Sequence, residues 1–194
     1  MSTRAEEYRP AVLTTANQLT ILRIVFVPVF IIFLVYRDVG WAFCTFVAAG
    51  LTDVLDGIIA RRFRQKTSIG AVLDPLADKL LMIASLLILS LSRVGFHTAI
   101  PRWLLIIIIC RDAFILLVSV IIVLMVGWRV FKPSPYGKAS TVMQFLMVLA
   151  VLYVNWQHVT VPQLQILFYA TGLMTAFSGL HYLGRSLREW PFNG

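Results

Sequence analysis

The chain has 194 residues, of which 59% are hydrophobic and only 13% charged, with a formal net charge of +8. A soluble domain is about one-quarter charged, and a chain this apolar would leave large greasy patches in water. Composition therefore excludes an ordinary soluble globule and points to a bilayer, where backbone polar groups are satisfied within helices or a closed barrel. The apolar runs are long and lack period-2 alternation, which selects helices and an all-α integral membrane protein.

In chain order, residues 1–18 are polar and lack the early apolar core of a signal peptide. They read as a cytoplasmic arm, with Thr3–Leu13 as a short amphipathic helix on the membrane surface. A domain over 19–186 then holds six apolar spans, each near the roughly 20 residues that cross a hydrocarbon core. They are Leu19–Tyr36, Trp41–Ala60, Ile69–Leu91, Pro101–Val126, Ala139–Val154 and Val161–Leu183, and residues 187–194 form a tail. The connections carry turn residues, among them Gly40, Gly95, Pro133, Pro135 and Pro162, and no internal repeat is visible.

Basic residues set the orientation. The N-terminal arm, the loop after span 2, the loop after span 4 and the tail are arginine- and lysine-rich, whereas the opposite loops carry only Arg37, Arg93 and Arg102. The positive-inside rule makes both termini and the Arg61–Lys66 loop cytoplasmic, as in a protein of a bacterial inner membrane. Positive charge beside apolar spans suits anionic headgroups rather than nucleic acid. Cys44 and Cys110 lie in apolar segments without companion ligands and read as inert buried thiols. His97, His158 and His181 are scattered in the sequence, away from the acids.

The acids are not scattered. Of nine acidic residues, Asp53, Asp56, Asp74 and Asp78 fall within one short stretch at or inside predicted spans. A carboxylate there costs about 2.5–3.5 kcal/mol even on the lenient insertion scale, and four would repel one another. A divalent cation compensates most simply. Asp53 and Asp56 are spaced i, i+3 and Asp74 and Asp78 i, i+4, so each pair shares one helical face. Joined by a short loop, the two helices are expected to be antiparallel neighbours with their acids facing one another. Oxygen-only ligation selects hard ions such as Mg²⁺ or Mn²⁺. Intramembrane acids also occur in metal transporters, but alternating access generally uses a repeat, and none is seen.

Asp53-Val-Leu-Asp56-Gly57-Ile-Ile-Ala60-Arg61, followed at fixed spacing by Gly70, Asp74 and Asp78, resembles the signature of the CDP-alcohol phosphotransferase family. The number and length of the spans are similar to that family's six-helix fold. The resemblance implies transfer of a phosphatidyl group from CDP-diacylglycerol to an alcohol, with release of CMP. It implies that Asp53, Asp56 and Asp74 hold two Mg²⁺ or Mn²⁺ ions and that Asp78 is the base and touches the second ion. It implies that Gly57, Ala60, Arg61 and Gly70 accommodate CDP, and that the protein is a homodimer. Asn17-Gln-Leu-Thr20-Ile-Leu-Arg23 resembles the entrance of phospholipid-making members, with Arg23 reaching an acidic partner or the diphosphate.

Asp74-Pro-Leu-Ala-Asp78-Lys79-Leu resembles the subgroup with glycerol-based acceptors, which includes phosphatidylglycerophosphate synthases and cardiolipin synthases. Lys79, Arg111 and Lys138 are the candidate bases for an anionic acceptor. The former group usually carries Arg-Glu in span 4 and a further arginine beyond it. Here Arg111 precedes Asp112, and no second arginine follows among Leu117, Val118 and Ser119. Glycerol-3-phosphate is the acceptor expected on its commonness, with phosphatidylglycerol as the alternative.

Overall fold

The computed structural model describes residues 15–63, 70–91, 96–126 and 135–189, with side chains over 21–54, 78–91, 96–121, 124 and 135–185. The surface arm Thr3–Leu13 lies outside them. All regular structure in these residues is helical: α1 Thr15–Val35, α2 Val39–Phe63, α3 Gly70–Ser90, α4 Arg102–Val126, α5 Pro135–Trp156 and α6 Leu164–Glu189. Each helix coincides with a predicted span to within a few residues.

Among the described residues, three stretches are long and apolar enough to cross a membrane: Arg102–Ile121, Pro135–Trp156 and Leu164–Arg185. Ile21–Val35 and Val39–Val54 are shorter apolar stretches. The outer surface carries exposed Ile32, Leu116, Leu124, Leu173 and Leu180, a composition that water would reject and lipid accepts. Cys44 and Cys110 are also exposed. The expectation of buried thiols is thus corrected: both occupy outward faces, where an apolar thiol needs no protein neighbour.

The helices pack in the ring order α1–α2–α5–α6–α4–α3, with a further contact between α3 and α5. Phe30, Leu34, Phe46, Leu86, Leu89, Leu104, Met147 and Val151 form the dry centre. Lipid tails are as apolar as these side chains, so close packing and hydrogen bonding, rather than exclusion of water, hold such a bundle together. Gly50 illustrates the packing: a Cβ there would sit 2.4 Å from Phe145 Cζ. Its absence lets α2 approach α5 and lets Phe145 stack on Phe46 at 4.7 Å between ring centroids. Gly172 similarly admits the Trp103 ring, whose Cζ3 a Cβ would meet at 2.7 Å.

Polar side chains tie the second half of the ring together. Gln144 Nε2 donates to Thr175 Oγ1 at 3.1 Å and to Ser140 Oγ at 3.4 Å, joining α5 to α6. At the far end, Asn155 accepts from the Thr98 amide at 3.0 Å and donates to Thr98 O and Val151 O, both at 2.8 Å. His97 and His158, distant in sequence, meet at 3.1 Å between ring nitrogens. Helices α1 and α5 end alike. Arg37 and His158 take positive φ, 65° and 54°, and the next amides reach back to Phe33 O and Val154 O. These are six-to-one closures built without the usual glycine.

Candidate active site

Three helices bring charge to one point. Arg23, on α1, is 1% exposed and donates from Nη1 to Asp78 Oδ1 at 2.9 Å. Its Nη2 lies 3.1 Å from Asp53 Oδ1 on α2. The arginine expected to seek an acidic partner thus takes two, one from each end of the signature. Helix α1 packs on both α2 and α3, which do not pack closely on each other among the described residues; the expected facing of two neighbouring helices is thus corrected, because Asp53 and Asp78 converge through the Arg23 guanidinium. A buried guanidinium is tolerated here because two carboxylates neutralise it, and its planar fork serves both with separate nitrogens.

The carboxylates remain accessible, with side chains 51% and 44% exposed for Asp53 and Asp78. They stand at one end of a groove of about 320 Å³ between α2, α3 and α5. Gly50, Met82, Thr141 and Phe145 are among its lining residues. This is a polar end with an apolar continuation, suited to a molecule with both characters.

Backbone positions locate the remaining signature residues. Asp56, Gly57, Ala60 and Arg61 follow Asp53 within two and a half turns of α2, Gly70 opens α3, and Asp74 precedes Asp78 by one turn. Asn17 and Thr20 lie on α1 before Arg23. The side chains of these eight residues lie outside the described ones. Among the described residues no three potential ligands gather. The two acids that are described fit a hard divalent cation, being oxygen-only and open on one side.

The acceptor candidates separate into two settings. Lys79 Nζ donates to Asp112 Oδ2 at 2.8 Å, and Arg111 Nη1 donates to Asp112 Oδ1 at 2.8 Å. Arg111 Nη2 also reaches Ser178 Oγ on α6 at 2.7 Å. Asp112 therefore stands between the two bases, and Gln144 lines the same groove as Lys79 and Asp112. Lys138 is exposed on the first turn of α5. The sequence grouped Lys79 and Arg111 with Lys138 as bases but did not show Asp112 joining the first two, nor Ser178 meeting Arg111. The adjacency of Asp78 and Lys79 holds a clue: successive helical residues point about 100° apart, so a base beside the acid faces a different helix.

A helical bundle with an apolar exterior and two accessible carboxylates on a largely apolar groove is the architecture of a membrane-bound protein. The model of the CDP-alcohol phosphatidyltransferase family matches residues 13–177, and the chain belongs to that family. It is similar to a probable phosphatidylglycerophosphate synthase of Mycobacterium tuberculosis, 34% identical over 93% of this chain and 85% of the relative. A CDP-diacylglycerol–glycerol-3-phosphate 3-phosphatidyltransferase of Haemophilus influenzae is 32% identical, over 85% of this chain and 89% of the relative. A probable CMP-forming cardiolipin synthase of Drosophila melanogaster is 34% identical, over 91% of this chain and 59% of the relative.

Proposed function

We propose that this chain transfers the phosphatidyl group of CDP-diacylglycerol to the hydroxyl of a glycerol-based acceptor, releasing CMP in phospholipid biosynthesis. The observation that carries the reading is the buried Arg23 gripping Asp53 and Asp78, the first and last acids of the signature. The names of the relatives support the donor, and they divide between glycerol-3-phosphate transfer and cardiolipin synthesis. Glycerol-3-phosphate is one acceptor, given in the name of the Haemophilus influenzae relative. Phosphatidylglycerol is the second, favoured by a groove beside Lys79 and Asp112.

In this reading all six helices cross the bilayer, with both termini and the site toward the cytoplasm, in the inner membrane and as a homodimer. Asp53, Asp56, Asp74 and Asp78 would hold two Mg²⁺ or Mn²⁺ ions, whose charge screens the diphosphate and eases departure of CMP. The chain's own residues do the rest. Asp78 takes the acceptor's hydroxyl proton, which raises the nucleophilicity of an otherwise poor attacking group. Arg23 holds Asp78 and Asp53 in place, so that little reorganisation is needed when substrate arrives. Gly57, Ala60 and Gly70 leave room for the nucleotide beside the helices, and Arg61 offers a phosphate a bidentate fork.

The test is CMP release by the purified protein with CDP-diacylglycerol and Mg²⁺. Chelation with EDTA abolishes release and added Mg²⁺ or Mn²⁺ restores it. The Asp78→Asn variant stays folded and loses release by at least about 100-fold, the low end for general-base removal. Near-normal turnover by that variant would defeat the assignment of Asp78 as the base.

A further inference from the structure

Lys79, Arg111 and Asp112 together carry a formal charge of +1, because Asp112 engages both bases at 2.8 Å. Arg111 is largely buried, and its Nε has no hydrogen-bond partner. The cluster therefore has donor capacity to spare and one net positive charge to offer. A phosphodiester carries a single negative charge and would leave it neutral. A phosphomonoester such as glycerol-3-phosphate carries about −1.5 to −2 at neutral pH, and would leave an excess of negative charge beside the Asp112 carboxylate, which is 23% exposed.

The surroundings add an independent observation. Lys79, Asp112 and Gln144 border a groove of about 190 Å³ between α3, α4 and α5. Its other walls are apolar, with Ile83 and Leu86 on α3 and Ile108 on α4. A small water-soluble acceptor has nothing to place against such a surface, whereas a lipid acceptor has an acyl chain. Met82 lines both this groove and the one that begins at Asp53 and Asp78. One side chain thus borders two largely apolar recesses, one with the carboxylate pair and one with a monocationic cluster among its lining.

Resting on the phosphatidyl-transfer reading, we propose that Asp112 tunes the acceptor site to a phosphodiester, and that the α3–α4–α5 groove seats an acyl chain of that acceptor, phosphatidylglycerol. Its terminal glycerol hydroxyl attacks the lipid-side phosphorus of CDP-diacylglycerol. A new P–O bond forms and the P–O bond to CMP breaks, CMP keeping the electron pair. The hydroxyl proton passes to Asp78, and the products are diphosphatidylglycerol and CMP.

The experiment measures CMP release in lipid nanodiscs for the intact protein, Asp112→Asn and Ala113→Phe, offering phosphatidylglycerol and glycerol-3-phosphate separately. The unmodified chain is expected to favour phosphatidylglycerol at least tenfold in kcat/KM. Asp112→Asn, which raises the cluster to +2, shifts that ratio at least tenfold toward glycerol-3-phosphate. Ala113→Phe, which fills the groove wall without touching a charge, raises KM for phosphatidylglycerol severalfold while KM for CDP-diacylglycerol holds. Release with glycerol-3-phosphate alone overturns this proposal and leaves phosphatidyl transfer standing, whereas release with neither acceptor defeats both. Unaltered phosphatidylglycerol kinetics in Ala113→Phe, with a change in oligomeric state, would assign the groove to a second copy of the chain and also overturn the proposal.

Discussion

Replacing Arg23 with Met tests the electrostatic frame of the site, because Met keeps the apolar stem of the buried side chain and removes only its charge and donors. Among the described residues two charge-assisted bonds disappear, one to Asp78 at 2.9 Å and one to Asp53 at 3.1 Å. Bonds of this kind contribute about 1.5–3 kcal/mol each. The carboxylates are about half exposed, 51% and 44%, so screening reduces the pair to roughly 1.5–3 kcal/mol in total. At about 2–4 °C per kcal/mol for a chain of this size, Tm in detergent with EDTA should fall by about 3–12 °C. Saturating Mg²⁺ supplies positive charge to the same carboxylates, so the loss measured with Mg²⁺ should be less than half that in EDTA. Equal losses in the two buffers would refute the idea that Arg23 and a cation neutralise the same acids. No loss in either would mean that the guanidinium contributes nothing net.

Two further outcomes follow from packing and hydrogen bonding. Gly50→Ala places a methyl where Phe145 Cζ lies 2.4 Å away, and should destabilise by about 1–3 kcal/mol, partly rescued by Phe145→Leu in a double-mutant cycle read by thermal unfolding. Asn155→Ala removes three hydrogen bonds, two of which hold the Thr98 backbone. It should cost about 2–3 kcal/mol and speed exchange of the Thr98 amide, with kcat for CMP release unchanged because the clamp lies at the opposite end from the acids.

The helices were legible because apolar runs of membrane length leave a one-dimensional mark, and Asp53 and Asp78 because carboxylates in such runs stand out. Arg23 was legible for the same reason, since an arginine inside a span must find a partner. Which partners it finds was not, because periodicity assigns faces to a helix without fixing its rotation against its neighbours. The same gap hid Lys79 reaching Asp112 across α3 and α4, and Gly50 making room for Phe145. The thiols failed for a related reason: an apolar residue in a membrane helix faces lipid as readily as protein, and sequence does not distinguish the two.

Asp78 and Lys79 are successive residues of one helix, yet one meets Arg23 and the other Asp112. Any turn of α3 about its axis would therefore move Asp78 and Lys79 together, and with them a wall of both grooves. Occupancy on the carboxylate side and occupancy on the monocationic side thus share one mechanical degree of freedom. By linkage, whatever a ligand in one groove did to the affinity of a ligand in the other would be returned in equal measure.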